Sequence, residues 1–127
     1  MVWERCVPMI DEALKHSEGE LLKEDILPHL MEGNMRLWIG VEDGEVIGCM
    51  VTEIVKYPRK RIVRVITIAA NKSMDSWYHF MPMLEGYAVN NNCFALEAWT
   101  RKGMARKLKD WKCSYQVITK EIEHRVH

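Results

Sequence analysis

Between residues 35 and 99 the apolar positions change from strand-like to helical spacing and back. Residues 37–41 form a short apolar run. Asp43-Gly44 follows, a dipeptide that suits a tight hairpin turn because glycine takes positive φ without steric cost. Residues 46–57 and 62–70 are apolar on both alternations and predict strands covered on both faces, joined by a turn at Pro58-Arg59-Lys60. Val46, Met50 and Ile54 should face one side, and Ile47, Cys49, Val51 and Val55 the other. Residues 74–89 switch to helical spacing, with Trp77, Met81, Leu84 and Ala88 as the apolar stripe and Pro82 as a kink. Residues 94–99 return to a strand. A strand–helix–strand unit joins parallel neighbours by a right-handed crossover. An antiparallel meander feeding such a unit gives an α/β architecture: a mixed, mostly antiparallel sheet with helices on both faces. The strand-to-helix junction at 69–75 is then the place for a ligand.

Two helices should precede the sheet. Trp3, Cys6, Val7, Ile10, Ala13 and Leu14 recur at helical spacing over 3–16, although Pro8 lacks a backbone donor and should split off the first turn. Leu22, Ile26, Leu30 and Met31 mark a second helix over 22–32, closed by Gly33-Asn34, with Pro28 inside it. After the sheet, 102–111 reads as a fourth helix and 114–122 as a last strand. That strand alternates Tyr115, Val117 and Thr119 against Gln116, Ile118 and Lys120. No repeat, low-complexity tract or linker interrupts the chain, so residues 1–123 are expected to form one domain and 124–127 a frayed tail.

Composition narrows the function classes. An apolar content of 48% and a charged content of 28% are those of an ordinary globular core and surface. No apolar run reaches the ~18 residues of a membrane span, so no membrane partner is expected. The first residues lack the basic, apolar, then small-residue pattern of a secretory signal, and the expected location is cytoplasmic. Cys6, Cys49, Cys93 and Cys113 are widely spaced, and the five histidines share no ligand spacing, so no metal site is expected. Net charge is zero, yet residues 1–55 hold 4 basic and 12 acidic side chains while 56–127 hold 14 and 6. That asymmetry suits an anionic ligand near the second half. Two basic groups stand out: Lys56, Arg59, Lys60, Arg61 and Arg64 around the turn, and Arg101, Lys102, Arg106, Lys107, Lys109 and Lys112 further on. With aromatics nearby they raise nucleic-acid binding, which the neutral overall charge opposes.

The order helix, helix, three antiparallel strands, helix, strand, helix, strand resembles the GNAT (acyl-CoA N-acyltransferase) superfamily over nearly the whole chain. The strings that carry the likeness are Leu37-Trp38, Val51-Thr52-Glu53-Ile54, Tyr57-Pro58-Arg59-Lys60, Met74-Asp75-x-Trp77, Leu84-Glu85 and Arg101-x-Gly103-x-Ala105-Arg106. Among GNAT proteins they look most like the short ones encoded by tailed bacteriophages. The resemblance implies a GNAT-like fold and transfer of an acetyl group from acetyl-CoA to an amine acceptor that the chain does not name. It also implies a sheet that opens beside the strand at 62–70, where the pantetheine arm enters. Ile66, Ile68, Ala69 and Ala70 would line that opening, and Asn71, Lys72, Ser73, Met74 and Asp75 would receive the pyrophosphate at a helix N-terminus. The family loop carries glycines, which let a backbone approach phosphate closely. Here it has none, and Asp75 adds a negative charge.

Transfer to an amine needs a base for the nitrogen and an acid for the leaving thiolate. Family members often place a carboxylate on the strand matching 61–70, and this chain has none there. Glu97 on the next strand is the candidate base, ahead of Glu53, and Tyr115 is the candidate acid. The alternative implied by the missing glycines is a GNAT-like domain without coenzyme turnover, serving a virion or host protein partner. A phage-encoded chain would then reside in the host cytoplasm or with the virion.

Overall fold

The computed structural model describes residues 2–15, 22–70, 76–98, 110–113 and 118–123. Its elements, in chain order, are α1 (Val2–Leu14), α2 (Lys23–Glu32), β1 (Arg36–Glu42), β2 (Glu45–Lys56), β3 (Arg61–Ala70), α3 (Ser76–Asn90) and β4 (Ala95–Ala98). The four strands lie in the order β1-β2-β3-β4. The first two pairings are antiparallel, and β3 pairs with β4 in parallel. This is the mixed, mostly antiparallel sheet that the sequence predicts, and the helices divide between its faces.

One face packs Cys49, Val51 and Ala69 against Cys6 and Ile10 of α1 and Ile26 of α2. The other packs Met50, Val63 and Val65 against Phe80, Leu84 and Ala88 of α3. Two separate apolar layers explain why β2 and β3 lack a polar alternation: neither face of either strand meets water along most of its length. Thr52 is the buried polar residue in this layer, and its hydroxyl accepts a hydrogen bond from the Trp38 indole at 2.9 Å.

Local chemistry fixes the ends of these elements. Asp43 and Gly44 both have positive φ, 51° and 79°, and join Glu42 to its partner Glu45 in a two-residue hairpin. At the start of α2, Leu22 offers no side-chain oxygen. Its backbone N–H donates instead to the Asp25 carboxylate at 2.9 Å, three residues on. Gly33 ends the helix in the left-handed region, φ 82°, and the Asn34 N–H turns back to the His29 carbonyl. After α3, Asn92 takes φ 57°, and the Phe94 N–H donates to the Arg61 carbonyl at 3.0 Å, which aligns β4 beside β3.

Three expectations change. α1 runs unbroken through Pro8. That proline lies on the exposed face, where water reaches the backbone and a missing donor costs least. Val46 packs with the α1 face, not with Met50 and Ile54. The pairing steps from Gly40↔Gly48 to Val41↔Val46, leaving Ile47 as an extra residue, and such a bulge reverses the alternation beyond it. In the expected last strand, residues 118–122 carry no strand pairing, and Ile118 and Ile122 are exposed. The expected fourth helix falls almost wholly outside the described residues. No described helix is long and apolar enough to cross a membrane.

Candidate active site

The site is built around the two edges of β3. Along one edge β3 pairs with β2 from Lys56↔Arg61 to Gly48↔Ala70. Along the other edge the parallel ladder to β4 covers four rungs, from Ile62↔Ala95 to Val65↔Ala98. Residues 66–70 continue as strand, and among the described residues no strand lies on their outer side. The register with β2 shifts at the same place. Thr52 pairs with Val65 and Val51 with Thr67, so Ile66 is an extra residue in β3. A bulge bends its strand and increases its twist. The bend falls next to Val65, the last residue paired with β4 among the described residues. A strand directs the N–H and C=O of alternate residues to opposite edges. Those peptide groups of 66–70 that do not face β2 therefore point into the fork.

One rung before the fork lies a row of charged side chains, Glu53↔Arg64↔Glu97, across β2, β3 and β4. Arg64 commits to Glu97: its Nε donates to Oε1 at 2.8 Å and its NH2 lies 2.7 Å from the same oxygen. The Tyr57 hydroxyl accepts from Arg64 NH2 at 2.9 Å and donates to Glu97 Oε2 at 3.4 Å. Glu53 stands 3.8 Å from Arg64 NH1. The side chains of Arg64, Glu53 and Glu97 keep 20%, 28% and 30% of their exposure, so the row is partly desolvated yet open to solvent. Desolvation pulls the guanidinium pKa down. The Glu97 hydrogen bond and charge, with Tyr57 and Glu53, outweigh it and hold the group above its ordinary value. Arg64 is a permanent cation shared unequally between two carboxylates.

The expected site residues divide accordingly. Ile66 and Ala69 pack toward α1, Ile68 packs toward α3, and Ala70 ends β3. All four lie on the stretch that borders the fork. Glu97 sits one rung from it, with both oxygens engaged. Asn71, Lys72, Ser73, Met74, Asp75 and Tyr115 lie outside the described residues. Within the basic group at the turn, Arg64 is drawn into the carboxylate row, and Lys60 lies over the Tyr57 ring at 5.6 Å. The second basic group falls outside the described residues, apart from Lys112. What sequence reasoning missed is the joining of Tyr57, Arg64, Glu53 and Glu97. Their spacing carries no motif, and they meet through the register of three strands.

The architecture has close counterparts among solved structures. An aminoglycoside acetyltransferase from an uncultured soil metagenomic sample, solved with sisomicin, superposes with a TM-score of 0.71 at 9% identity, covering 98% of this chain and 89% of that one. The aminoglycoside N-acetyltransferase AAC(6')-Iy, solved with CoA, gives 0.71 at 14% identity over 96% and 89%. A GNAT family acetyltransferase from Staphylococcus aureus gives 0.66 at 12% identity over 94% and 88%. The fold is that of the GNAT acetyltransferases. No protein-family model and no curated protein matches the chain. The GNAT likeness therefore rests on backbone architecture, with few side chains shared.

Proposed function

We propose that this chain is a GNAT-type N-acyltransferase that takes the acetyl group of acetyl-CoA and passes it to an amine. One observation carries the reading: β3 continues for five residues, 66–70, beyond its last rung with β4 among the described residues, next to a bulge at Ile66. That stretch offers main-chain donors and acceptors along an open edge, which suits the amide-bearing arm of the coenzyme. The fit is backed by the solved neighbours, one holding CoA and one a bisubstrate analogue, CoA-S-monomethyl-acetylneamine.

Acetyl-CoA supplies an activated acyl group as a thioester. The chain's own residues do the rest. Peptide groups of Ile66, Ile68, Ala69 and Ala70 would hold and align the arm. Asn71, Lys72, Ser73, Met74 and Asp75 would meet the pyrophosphate ahead of α3. Lys72 contributes a positive charge there, and Asp75 opposes it. Glu97, with Arg64 and Tyr57, would form the wall of the fork next to the thioester, and Tyr115 remains the proposed acid for the leaving thiolate.

Calorimetric titration with acetyl-CoA tests the reading, with micromolar binding expected. Absence of heat and of any thermal shift at millimolar coenzyme would remove it. The GNAT-like architecture without turnover, serving a virion or host partner, would then be the better account.

A further inference from the structure

Within the transferase reading, on which this inference rests, we propose that Glu53, and not Glu97, is the carboxylate that binds the acceptor's ammonium group and takes its proton. The two carboxylates flank Arg64 on the same rung but are held differently. Glu97 Oε1 receives two short contacts from Arg64, at 2.7 and 2.8 Å, and its Oε2 receives the Tyr57 hydroxyl. Of the roughly four acceptor sites of an ionised carboxylate, these contacts occupy three. Glu53 meets Arg64 at 3.8 Å, too long for a hydrogen bond. Its oxygens keep their accepting capacity, and its side chain stays 28% exposed, so an amine can reach it from solvent.

Position suits Glu53, as it does Glu97 on the same rung and face. Glu53 lies two residues after Val51, whose side chain packs on the α1 face, so Glu53 points to that face. Ile66, the first residue of the open edge, packs on the same face. Neighbouring strands are about 4.8 Å apart and successive residues about 3.4 Å, so the Glu53 backbone lies roughly 8 Å from Ile66, one strand across and two residues along. An amine held there sits beside the mouth of the fork. α1 and α2 pack on this same face, over Cys49, Val51 and Ala69, while the Glu53 side chain keeps 28% of its exposure. The charged and titratable groups facing Glu53 among the described residues are Arg64 and, beyond it, Glu97 and Tyr57.

The step balances without a further reactant. The acceptor arrives as R–NH3+, and the Glu53 carboxylate takes one proton. The nitrogen lone pair attacks the thioester carbonyl carbon, the C–N bond forms and the C–S bond breaks. The second proton lost by nitrogen passes to the departing thiolate, and Glu53 returns its proton to water. Arg64, tied to Glu97, stands beside the Glu53 carboxylate without hydrogen-bonding it.

The test compares Glu53→Gln, Glu53→Asp and Glu97→Gln with the unaltered chain. Release of the CoA thiol is followed with spermidine and with n-butylamine, and acetyl-CoA binding is measured in parallel. Glu53→Gln should lower kcat by about 10²- to 10⁴-fold, the usual worth of a positioned base, with coenzyme affinity unchanged. Its residual rate should rise with pH as the acceptor's ammonium loses its proton to solvent. Glu53→Asp should recover part of the loss, and Glu97→Gln should cost less than about tenfold. A Glu53→Gln variant that keeps its rate while Glu97→Gln loses it overturns the proposal. So does an unaltered chain that binds acetyl-CoA and acetylates neither amine. Failure to bind acetyl-CoA at all removes the transferase reading itself, and this assignment with it.

Discussion

Arg64 and Glu97 face each other across the parallel pair β3 and β4, one rung before the last pairing among the described residues, and join through contacts of 2.7 and 2.8 Å to a single oxygen. Their pairing ties the two strands together next to the proposed fork. It also decides which nearby carboxylate remains available for chemistry.

Removing Arg64 should be costly. Arg64→Ala leaves Glu53 and Glu97 partly buried on one rung without the cation between them. A loss of about 1–3 kcal/mol is expected, below that of a fully buried pair because all three groups keep some solvent. Urea denaturation measures it. A double-mutant cycle with Glu97→Gln should return a coupling of about 0.5–3 kcal/mol, as for residues in direct contact. Additivity of the two substitutions would contradict the pairing.

The thiols predict a dependence on alkaline pH. Burial, reinforced by the neighbouring Cys6, pushes the Cys49 thiol up to about 12, from an ordinary 9.0. Burial raises Cys6 as well. The fold therefore favours the protonated thiol. Below pH 9 both folded and unfolded chains keep that proton, and the stabilisation is fully present. Between 9 and about 12 the unfolded chain loses it first, so stability should fall by up to about 1.4 kcal/mol per pH unit for one thiol. Denaturation series from pH 8 to 11 should show this slope, and Cys49→Ala should flatten it. In the native state Cys113, which is exposed, should react with a thiol reagent long before the buried Cys6, Cys49 and Cys93.

The layer between β2, β3 and α3 depends on complete filling. Leu84 is fully buried beside Met50, Val63 and Phe80. Leu84→Ala should cost about 2–5 kcal/mol, depending on how far the neighbours close on the cavity. Chemical denaturation reads the loss directly. A cost below that range would mean that α3 packs on the sheet more loosely than the burial of Leu84 indicates.

The β1–β2 hairpin can be tested separately. Gly44 has φ 79°, and a Cβ built there meets nothing within 4 Å. Any penalty for Gly44→Ala is therefore one of backbone conformation alone, about 1 kcal/mol. A neutral substitution would show that the turn relaxes to another type.

The strands and helices are legible in the sequence because each carries its own period. Leu84 and Ala88 mark a helix, and the double-sided apolar runs of β2 and β3 mark buried strands. The Asp43-Gly44 turn specifies its hairpin through backbone sterics. The bulges are not legible. Ile47 and Ile66 are ordinary strand residues, and nothing in an isoleucine says that it lacks an opposite partner. Because side-chain direction has a period of two, each bulge reverses the facing of every residue beyond it. The alignment of Glu53 with Arg64 and of Arg64 with Glu97 therefore cannot be computed from spacing. Glu97 stands out as a carboxylate on the right strand, while its engagement by Arg64 and Tyr57 arises only when three strands fix their register. Pro8 escapes sequence reasoning for a related cause: its cost depends on which face of α1 it occupies.

The open edge of β3 is the claim on which the functional account rests, and amide hydrogen exchange across residues 62–70 tests it most directly. Without coenzyme, the amides of 66–70 that face the fork should exchange much faster than those of 62–65, which lie between two strands. Adding acetyl-CoA should slow them selectively. Amides of 66–70 already as protected as those of 62–65, and unchanged by acetyl-CoA, would contradict the account.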